Sequence, residues 1–512
     1  MQHKNRSYII GSILWPFAGL FAALRNWRQP WAMNVFWVAC AYMGAIQIYH
    51  PKGTILGEGS DAGRYVLELQ EMHRSVNSFE EVSRYFYDGD TNDVFCSTLQ
   101  YVVSRVTENG HVFFFVLAII YGFFYSRNIW YILNRISDQR IRWLWVMVAA
   151  FFLICPIWNI NGVRMWTALH VFVYGAMPYL LEGRKKPLVW SAASILIHHS
   201  FIFPIALLTL FFAIGRRIYS NSRIVTVFFA FYIVTLTVKN LDLGALNTAL
   251  QVYLPNFYSD RIDGYVNEDT LIRKLEDLAQ NSWHVAFFNN LHYWINQILV
   301  VFTYIIFKRN RKILSWLLPL FSFSLLIYAF SNILACVPSG ARYITISQMF
   351  MVATFLLTFR YWACDKVLAR FMPIVMLLFA FSLIFEIRKG FDYYGLDLLC
   401  GNFISAALIE VRTPLINLVK FVSGSFFPTN SPRSFRTTEL VKELYRLGHK
   451  VTLFIPKTAY NYTAFLKDFQ IDVKFYNRVQ EKRSFLGISI LDRVIFRFLN
   501  QFCAYPTLNS YP

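Results

Sequence analysis

Long apolar segments, separated by short polar loops, follow one another through most of the chain. The hydrocarbon core of a bilayer is about 30 Å thick, and about 20 helical residues are needed to cross it. A crossing segment must be helical here because its backbone polar groups find no water in the core. The pattern predicts an α-helical polytopic membrane protein with about twelve transmembrane helices, at residues 8–24, 31–49, 111–131, 143–159, 163–181, 187–199, 200–214, 224–240, 284–307, 313–334, 343–359 and 371–386.

The composition agrees with a membrane protein. Hydrophobic residues make up 56% and aromatic residues 18% of the 512 residues, whereas only 15% are charged, which is too apolar for a soluble chain of this length. The net charge of +19 does not indicate nucleic acid as a partner, because most of it lies in every second inter-helix loop. These loops hold nineteen Lys and Arg against three acids: Arg25, Arg28, Arg127, Arg135, Arg140, Arg142, Arg184, Lys185, Lys186, Arg216, Arg217, Arg223, Lys308, Arg309, Arg311, Lys312, Arg360, Lys366 and Arg370, with Asp138, Glu182 and Asp365.

Basic loops between transmembrane helices stay in the cytoplasm, so this alternation also predicts the orientation. It places the two long loops, residues 50–110 and 241–283, on the outer face. Both are acidic, with ten acids to five Lys and Arg in the first loop and seven to three in the second. The first span has basic residues at both ends, Lys4 and Arg6 before it and Arg25 and Arg28 after it, so its own charges do not fix its direction. The alternation of the later loops predicts that the N-terminus is outside.

Motifs for metals and common cofactors are absent from the sequence. The seven cysteines are scattered without a C-x-x-C pair or a nearby histidine, which predicts neither a metal site nor a disulfide framework. We also find no P-loop, no G-x-S-x-G and no H-E-x-x-H motif. The sequence therefore predicts a reaction without cofactor or metal.

Two arginines stand at the predicted outer ends of apolar segments. Arg164 follows the Gly162 break before the fifth span, and Arg342 follows Gly340 before the eleventh. A charge inside a span is unfavourable by about 2.5 to 3.5 kcal/mol, so each such residue needs a partner or a function. The planar guanidinium suits phosphate oxygens, although each arginine could instead reach lipid headgroups.

Two further polar groups face the predicted outer side. His198 and His199 separate two apolar runs, where they could move a proton, donate to a phosphate, or only satisfy backbone groups at a tight turn. Asp61, Arg64 and Tyr65 lie together at the start of the first outer loop. A carboxylate beside an arginine and a tyrosine is typical of sugar binding, and Asp61 could act as a base; a solvated turn is the alternative.

The order of these motifs resembles the EpsG-type family of polysaccharide polymerases, which is related to the Wzy polymerases of O-antigen and capsule. The matching segments span about 400 residues, and they are Trp15-Pro16, Asp61/Arg64/Tyr65, Asn161–Ala168, Ile197–Ser200, Tyr265-Val-Asn267, Gly340–Tyr343 and Gly401–Ser405.

This resemblance implies a multi-pass enzyme of the bacterial inner membrane. It would transfer a growing glycan from undecaprenyl diphosphate to the non-reducing end of a fresh lipid-linked repeat unit, on the outer face. Arg164 and Arg342 would bind the diphosphate, and Asp61, His198 or His199 would be the base. Arg64, Tyr65, Asn161 and Tyr343 would bind substrate. A chain-length regulator and a flippase are the expected protein partners.

Three other functions stay open. One is another lipid-linked glycosyl transfer or ligation. A membrane O-acyltransferase of the same glycan would also hold a membrane histidine, but it needs an inner entrance for the acyl donor. A lipid-linked sugar flippase usually has two similar halves, whereas the two long outer loops differ here in length and motif.

The pattern changes after about residue 420. Strands are predicted at residues 421–428, 450–455 and 471–476, and helices at 434–447 and 491–502. Ser431–Arg436 and Leu447–Val451 resemble the opening of family-4 glycosyltransferases. We therefore predict a membrane domain at 1–420 and a truncated α/β Rossmann-like fragment at 421–512. We expect this fragment to be a gene-fusion remnant rather than a second enzyme or a regulatory tail, because such enzymes hold the nucleotide sugar in a second Rossmann-like domain.

Overall fold

The computed structural model describes residues 10–49, 61–76, 78, 80–81, 94–136, 142–215, 221–238, 283–310, 312, 314–336, 340–395, 397–407, 418–422, 438–439, 441–442, 450–456, 460, 462 and 471–476. Two compact units divide the chain, Met1–Ala406 and Ala407–Pro512. The first unit ends earlier than residue 420, where the change in sequence pattern places a boundary.

The described part of the first unit consists of helices. They are α1 Pro16–Arg25, α2 Ala32–Ala45, α3 Asp61–Ser75, α4 Val94–Ser104, α5 Gly110–Leu133, α6 Leu144–Leu153, α7 Val163–Glu182, α8 Leu188–Ile197, α9 Ile202–Ile214, α10 Ser222–Thr235, α11 Trp283–Arg309, α12 Leu318–Leu334, α13 Arg342–Cys364, α14 Leu368–Tyr394, α15 Asp397–Cys400 and α16 Phe403–Ala407. Three 3₁₀ turns join them, at Ile157–Gly162, His199–Phe201 and Ser315–Leu317.

Five helical stretches in the described residues are long and apolar enough to cross a membrane. They are Gly110–Leu133, Leu144–Glu182 (which contains α6 and α7), Ser315–Leu334, Arg342–Cys364 and Leu368–Phe391. The predicted class, a helical membrane protein, is thus confirmed, whereas the count of twelve spans stays a prediction. Several predicted spans are shorter apolar helices in the structure, among them α1, α2, α8 and α10.

The pair of predicted spans at 187–199 and 200–214 shows why some apolar helices are short. Helix α8 has 10 residues and α9 has 13. At 1.5 Å per residue these helices are about 15 and 20 Å long, less than one crossing of a 30 Å core. They are separated by the 3₁₀ turn His199–Phe201 and by His198, whose backbone is extended (φ −151°, ψ 115°). The two histidines therefore lie at a break between two helices that are each too short to cross the core.

Small residues let helices α2 and α5 approach closely. A Cβ atom on Gly44 would lie 2.4 Å from the Phe114 carbonyl oxygen, and one on Gly122 would lie 2.7 Å from the Cys40 Cβ atom. Cys40 and Gly44 are four residues apart on one helix, as are Ala118 and Gly122 on the other. This small-residue spacing is the one that membrane helices use for close packing.

The described part of the second unit contains three parallel strands, β1 Leu418–Val422, β2 Lys450–Pro456 and β3 Asp472–Tyr476, in the order β1-β2-β3. The predictions for β2 and β3 are confirmed within one residue. The first strand begins earlier than predicted, and residues 423–437 lie outside the described residues. Four residues of the predicted helix, 438–439 and 441–442, are helical. Val441 packs in a core with Val451, Leu453 and Ile455.

Candidate functional site

The predicted site residues lie at the N-terminal ends of helices. Asp61 begins α3, Arg164 is the second residue of α7, and Arg342 begins α13. His199 begins the 3₁₀ turn that leads into α9. The start of a helix carries unpaired N–H groups and the positive end of the helix dipole, so these positions favour negatively charged ligands.

Arg164 and Tyr65 join two of these helix starts directly. The Nε atom of Arg164 donates a hydrogen bond of 3.2 Å to the Tyr65 hydroxyl oxygen. Tyr65 has only 4% of its surface exposed, and its burial raises the pKa of the hydroxyl above the ordinary value. The phenol therefore stays neutral at pH 7 and its oxygen accepts from arginine.

Arg64 of α3 is a second cation beside the Tyr65 hydroxyl. Arg64 Nη2 lies 3.3 Å from the Tyr65 oxygen and 3.1 Å from Asp61 Oδ1, while its Nε atom lies 3.7 Å from Glu68 Oε1. Gln100 of α4 holds this helix in place, since its Nε2 atom donates to the Tyr65 carbonyl at 3.0 Å and to Glu68 Oε2 at 2.9 Å. Two guanidinium groups thus meet at one tyrosine hydroxyl, and two carboxylates pair with one of these groups.

The histidine turn contacts both α7 and α13. The Ser200 hydroxyl lies 3.7 Å from the sulfur of Met165, the residue after Arg164. The Tyr343 hydroxyl donates to the Ser200 carbonyl at 3.0 Å. His198 Nδ1 accepts from the Ser200 backbone N–H at 3.4 Å and lies 3.3 Å from its hydroxyl. The ring centroids of His198 and His199 are 5.0 Å apart.

The two remaining predicted residues have different surroundings. Asn161 Nδ2 donates to the Tyr393 hydroxyl at 3.0 Å, so this amide joins the turn before α7 to the end of α14. Arg342 has an exposed side chain, and it forms no hydrogen bond or ion pair with the described residues. Tyr343 therefore connects the start of α13 with the histidine turn.

The conformation of the turn that carries Asn161 and leads to Arg164 is stabilised by buried polar groups of neighbouring helices. Helix α6 ends before Pro156, which leaves carbonyl groups of the break without helical partners. The Tyr121 hydroxyl lies 2.9 Å from both the Cys155 and the Pro156 carbonyl oxygens. His170 Nε2 lies 3.0 Å from the same hydroxyl. These contacts fix the break inside an apolar region where water is scarce.

The structure brings the predicted motifs into a sequence of contacts that runs from Asp61 through Arg64, Tyr65, Arg164, Met165 and Ser200 to Tyr343. This sequence of contacts does not include Arg342. Tyr265-Val-Asn267, which belongs to the resemblance, lies outside them. The motif Gly401–Ser405 has a structural explanation: Asn402 and Ser405 cap the start of α16 through reciprocal hydrogen bonds of 2.8 and 2.9 Å.

Sequence reasoning did not find Gln100, Glu68 or Tyr393. Glu68 stands four residues after Arg64, a helical spacing that was available in the sequence. Gln100 is a single amide in an apolar segment, and Tyr393 is 232 positions from its partner Asn161. Neither gave a local signal. Within the described residues, no group of three His, Cys, Asp or Glu side chains could hold a metal ion.

Comparisons with known proteins identify the family. The model of a family described as the EpsG family matches residues 59–395. This range contains every predicted site residue and none of the second unit, so the comparison gives no support to the glycosyltransferase resemblance after residue 420. No curated protein and no solved structure matches the chain. Since the matched range covers more than half of its 512 residues, the chain belongs to the EpsG family.

Proposed function

We propose that this EpsG family protein polymerises oligosaccharide repeat units that are linked to undecaprenyl diphosphate. The growing glycan is transferred from its lipid carrier to the non-reducing end of a fresh lipid-linked unit. The reaction takes place on the outer face of a bacterial inner membrane, and the product is an O-antigen, a capsule or an exopolysaccharide. Family membership and the apolar helices support a membrane enzyme of polysaccharide synthesis.

The observation that carries the proposal is the hydrogen bond between Arg164 and Tyr65, within the contacts that connect three helix starts. A departing lipid diphosphate develops negative charge, and a polymerase must stabilise that charge. Guanidinium groups and helix N-termini are the groups that proteins use for this purpose. Arg164 and Arg342 are assigned to the diphosphate.

The transfer forms one glycosidic bond and breaks the bond between the growing glycan and the diphosphate. A hydroxyl oxygen of the acceptor sugar attacks the anomeric carbon of the growing glycan, and the bond from that carbon to the diphosphate oxygen breaks. The electron pair leaves with undecaprenyl diphosphate, whose charge the arginines stabilise. The hydroxyl proton goes to a base on the protein. Arg64, Tyr65, Asn161 and Tyr343 are assigned to binding the substrate.

Hydrogen bonding favours Asp61 over His198 as the base. His198 Nδ1 accepts from the Ser200 N–H, so a neutral His198 carries its proton on Nε2 and suits a donor role toward phosphate. Asp61 keeps an accepting carboxylate, with Oδ1 toward Arg64, in the same contact network as Arg164. We therefore assign proton removal to Asp61, and His199 is the second candidate. A chain-length regulator and a flippase are proposed as protein partners.

Product analysis with purified protein tests this function. The full-length protein is placed in vesicles and given lipid-linked repeat units, and products are sized on a gel. The proposal predicts a ladder whose steps each equal one repeat unit. In a parallel reaction with an added acyl donor, products that stay at one unit and carry a new acyl group indicate an acyltransferase. Movement of unchanged repeat units across the vesicle membrane indicates a flippase. Either outcome overturns the proposal.

A further inference from the structure

A cavity of about 480 Å³ lies at the end of the helices opposite to the candidate site. Its walls come from the last turns of α5 and α7, the loop between α7 and α8, and the first turn of α8, with Met33 of α2. Tyr65 touches Arg164 at the start of α7, whereas Pro178 of the cavity is fourteen residues later on that helix. At 1.5 Å per residue the two lie about 20 Å apart along the axis. The cavity is therefore separate from the proposed reaction.

Its lining is positively charged and aromatic. Three cations, Arg127, Arg184 and Lys186, line it, and no carboxylate is among the lining residues. Four aromatic side chains complete the wall, and these are Trp130, Tyr131, Tyr174 and Trp190. Glu182, the nearby acid, is paired with Arg135 and with Arg184, whose Nε atom lies 2.6 Å from it. The cavity therefore favours an anion with an adjoining apolar part.

The side chain of Arg127, which lines this cavity, is held in place by its neighbours. Its Nη2 atom donates to Asn34 Oδ1 at 3.0 Å, and its guanidinium lies 4.6 Å from the Trp37 ring centroid and 4.2 Å from that of Phe123. Lys186 differs, because it is exposed and its ammonium group forms no hydrogen bond or ion pair with the described residues. One cation is thus held in place and another is available at the mouth.

The surface beside the mouth indicates that the ligand comes from the membrane. On α8, Val189 is 65% exposed, Trp190 44% and Leu196 59%. In a membrane protein such a helix surface faces lipid chains. Tryptophan and tyrosine beside lysine and arginine are typical of the headgroup level, and basic pockets between helices bind anionic headgroups.

We propose that this cavity binds the headgroup phosphate of an anionic phospholipid, with the acyl chains lying along the exposed face of α8. Arg127, Arg184 and Lys186 contact the phosphate, and Trp190 packs against the glycerol and the first methylenes. The inference does not depend on the polymerase reaction, and its test measures lipid binding rather than polymer.

The experiment uses the purified full-length protein in detergent micelles. Dioleoylphosphatidylglycerol is added in steps, and the midpoint of thermal unfolding is measured; dioleoylphosphatidylcholine and inorganic phosphate are added in parallel. Lys186→Gln is compared with Lys185→Gln. The two lysines are neighbours, but Lys185 points to the Phe212 ring, 5.2 Å away, and does not line the cavity.

Phosphatidylglycerol is expected to raise the midpoint of the parent and of Lys185→Gln to the same extent. Lys186→Gln should need about fivefold more lipid for the same shift, and Arg184→Gln combined with Lys186→Gln should remove the shift. Equal behaviour of Lys185→Gln and Lys186→Gln overturns the proposal. So does an equal shift with phosphatidylcholine, or a full shift with inorganic phosphate alone, since the site would then not recognise an anionic lipid.

Discussion

The Arg164 guanidinium donates to the Tyr65 hydroxyl although the two residues are 99 positions apart and belong to different helices. Each residue stands near the start of its helix, so the bond brings two positive helix ends together. Arg64, which directly precedes Tyr65 in the sequence, donates to the same hydroxyl. Tyr65 thus orients two cations, and its own burial keeps it neutral.

This arrangement predicts that Tyr65→Phe lowers activity without preventing membrane insertion. The ring remains and keeps its packing, but Arg164 and Arg64 lose the oxygen that orients them. A hydrogen bond to a charged group contributes about 1.5 to 3 kcal/mol, so polymer formation should slow by about tenfold or more. The measurement is the initial rate at equal protein level in membranes. Tyr361→Phe removes a hydroxyl at the far end of α13 and should match the parent; equal rates in both variants contradict the role of Tyr65.

The choice of base predicts different effects for Asp61 and His199. Asp61→Asn keeps the size of the side chain but removes its capacity to take a proton, and should reduce the rate by about a hundredfold or more. His199→Gln should reduce it much less. Single-turnover rates with saturating substrate separate loss of chemistry from loss of binding. If His199→Gln is the more damaging change, proton removal is to be reassigned to His199.

The orientation can be measured with thiol labels. A membrane-impermeant maleimide applied to intact spheroplasts should label Ser75→Cys and should not label Asn310→Cys, in a background where the exposed Cys364 and Cys400 are replaced by serine. A third cysteine near residue 265 should also react, because the second acidic loop is predicted to be outside. Labelling at position 310 in intact cells would reverse the orientation and move the candidate site to the cytoplasmic face.

The second unit is expected to be dispensable for polymer synthesis. A cut after Lys420 would divide β1, which begins at Leu418, so the structure moves the cut to the end of α16 at Ala407. The capping residues Asn402 and Ser405 are then kept. The truncated protein should insert and make polymer of normal length. A truncated protein that inserts but makes no polymer would show that the second unit contributes to the reaction.

The sequence predicted the class of fold because span length and loop charge are local properties. It predicted the breaks at Gly162 and at His198 and His199, but it placed the end of the α6 span at residue 159 rather than at Leu153, because that end depends on distant partners. The end of α6 is stabilised by Tyr121 and His170, which lie in other helices. The break between α8 and α9 was predicted from His198 and His199, because two imidazoles are unfavourable in the middle of a span.

The candidate site was predicted residue by residue but not as an arrangement. Arg164 and Tyr65 were separate motifs in the sequence, and only the fold joins them. Gln100, which positions α3, was missed because a single amide in an apolar helix has no partner in the sequence. The first strand of the second unit was placed three residues too late, because the apolar residues of this strand already begin at Leu418 and Val419.

The most direct test of the account replaces Arg164 and Arg342 by lysine, one at a time, in purified protein supplied with lipid-linked repeat units. Lysine keeps the positive charge and removes the planar fork that matches phosphate oxygens. Arg360→Lys is the matched control, since Arg360 lies on the same helix as Arg342 but at its opposite end. The account predicts that polymer formation falls by about tenfold or more in the first two variants and is unchanged in Arg360→Lys. Parental rates in both Arg164→Lys and Arg342→Lys would contradict the assignment of these arginines to the diphosphate.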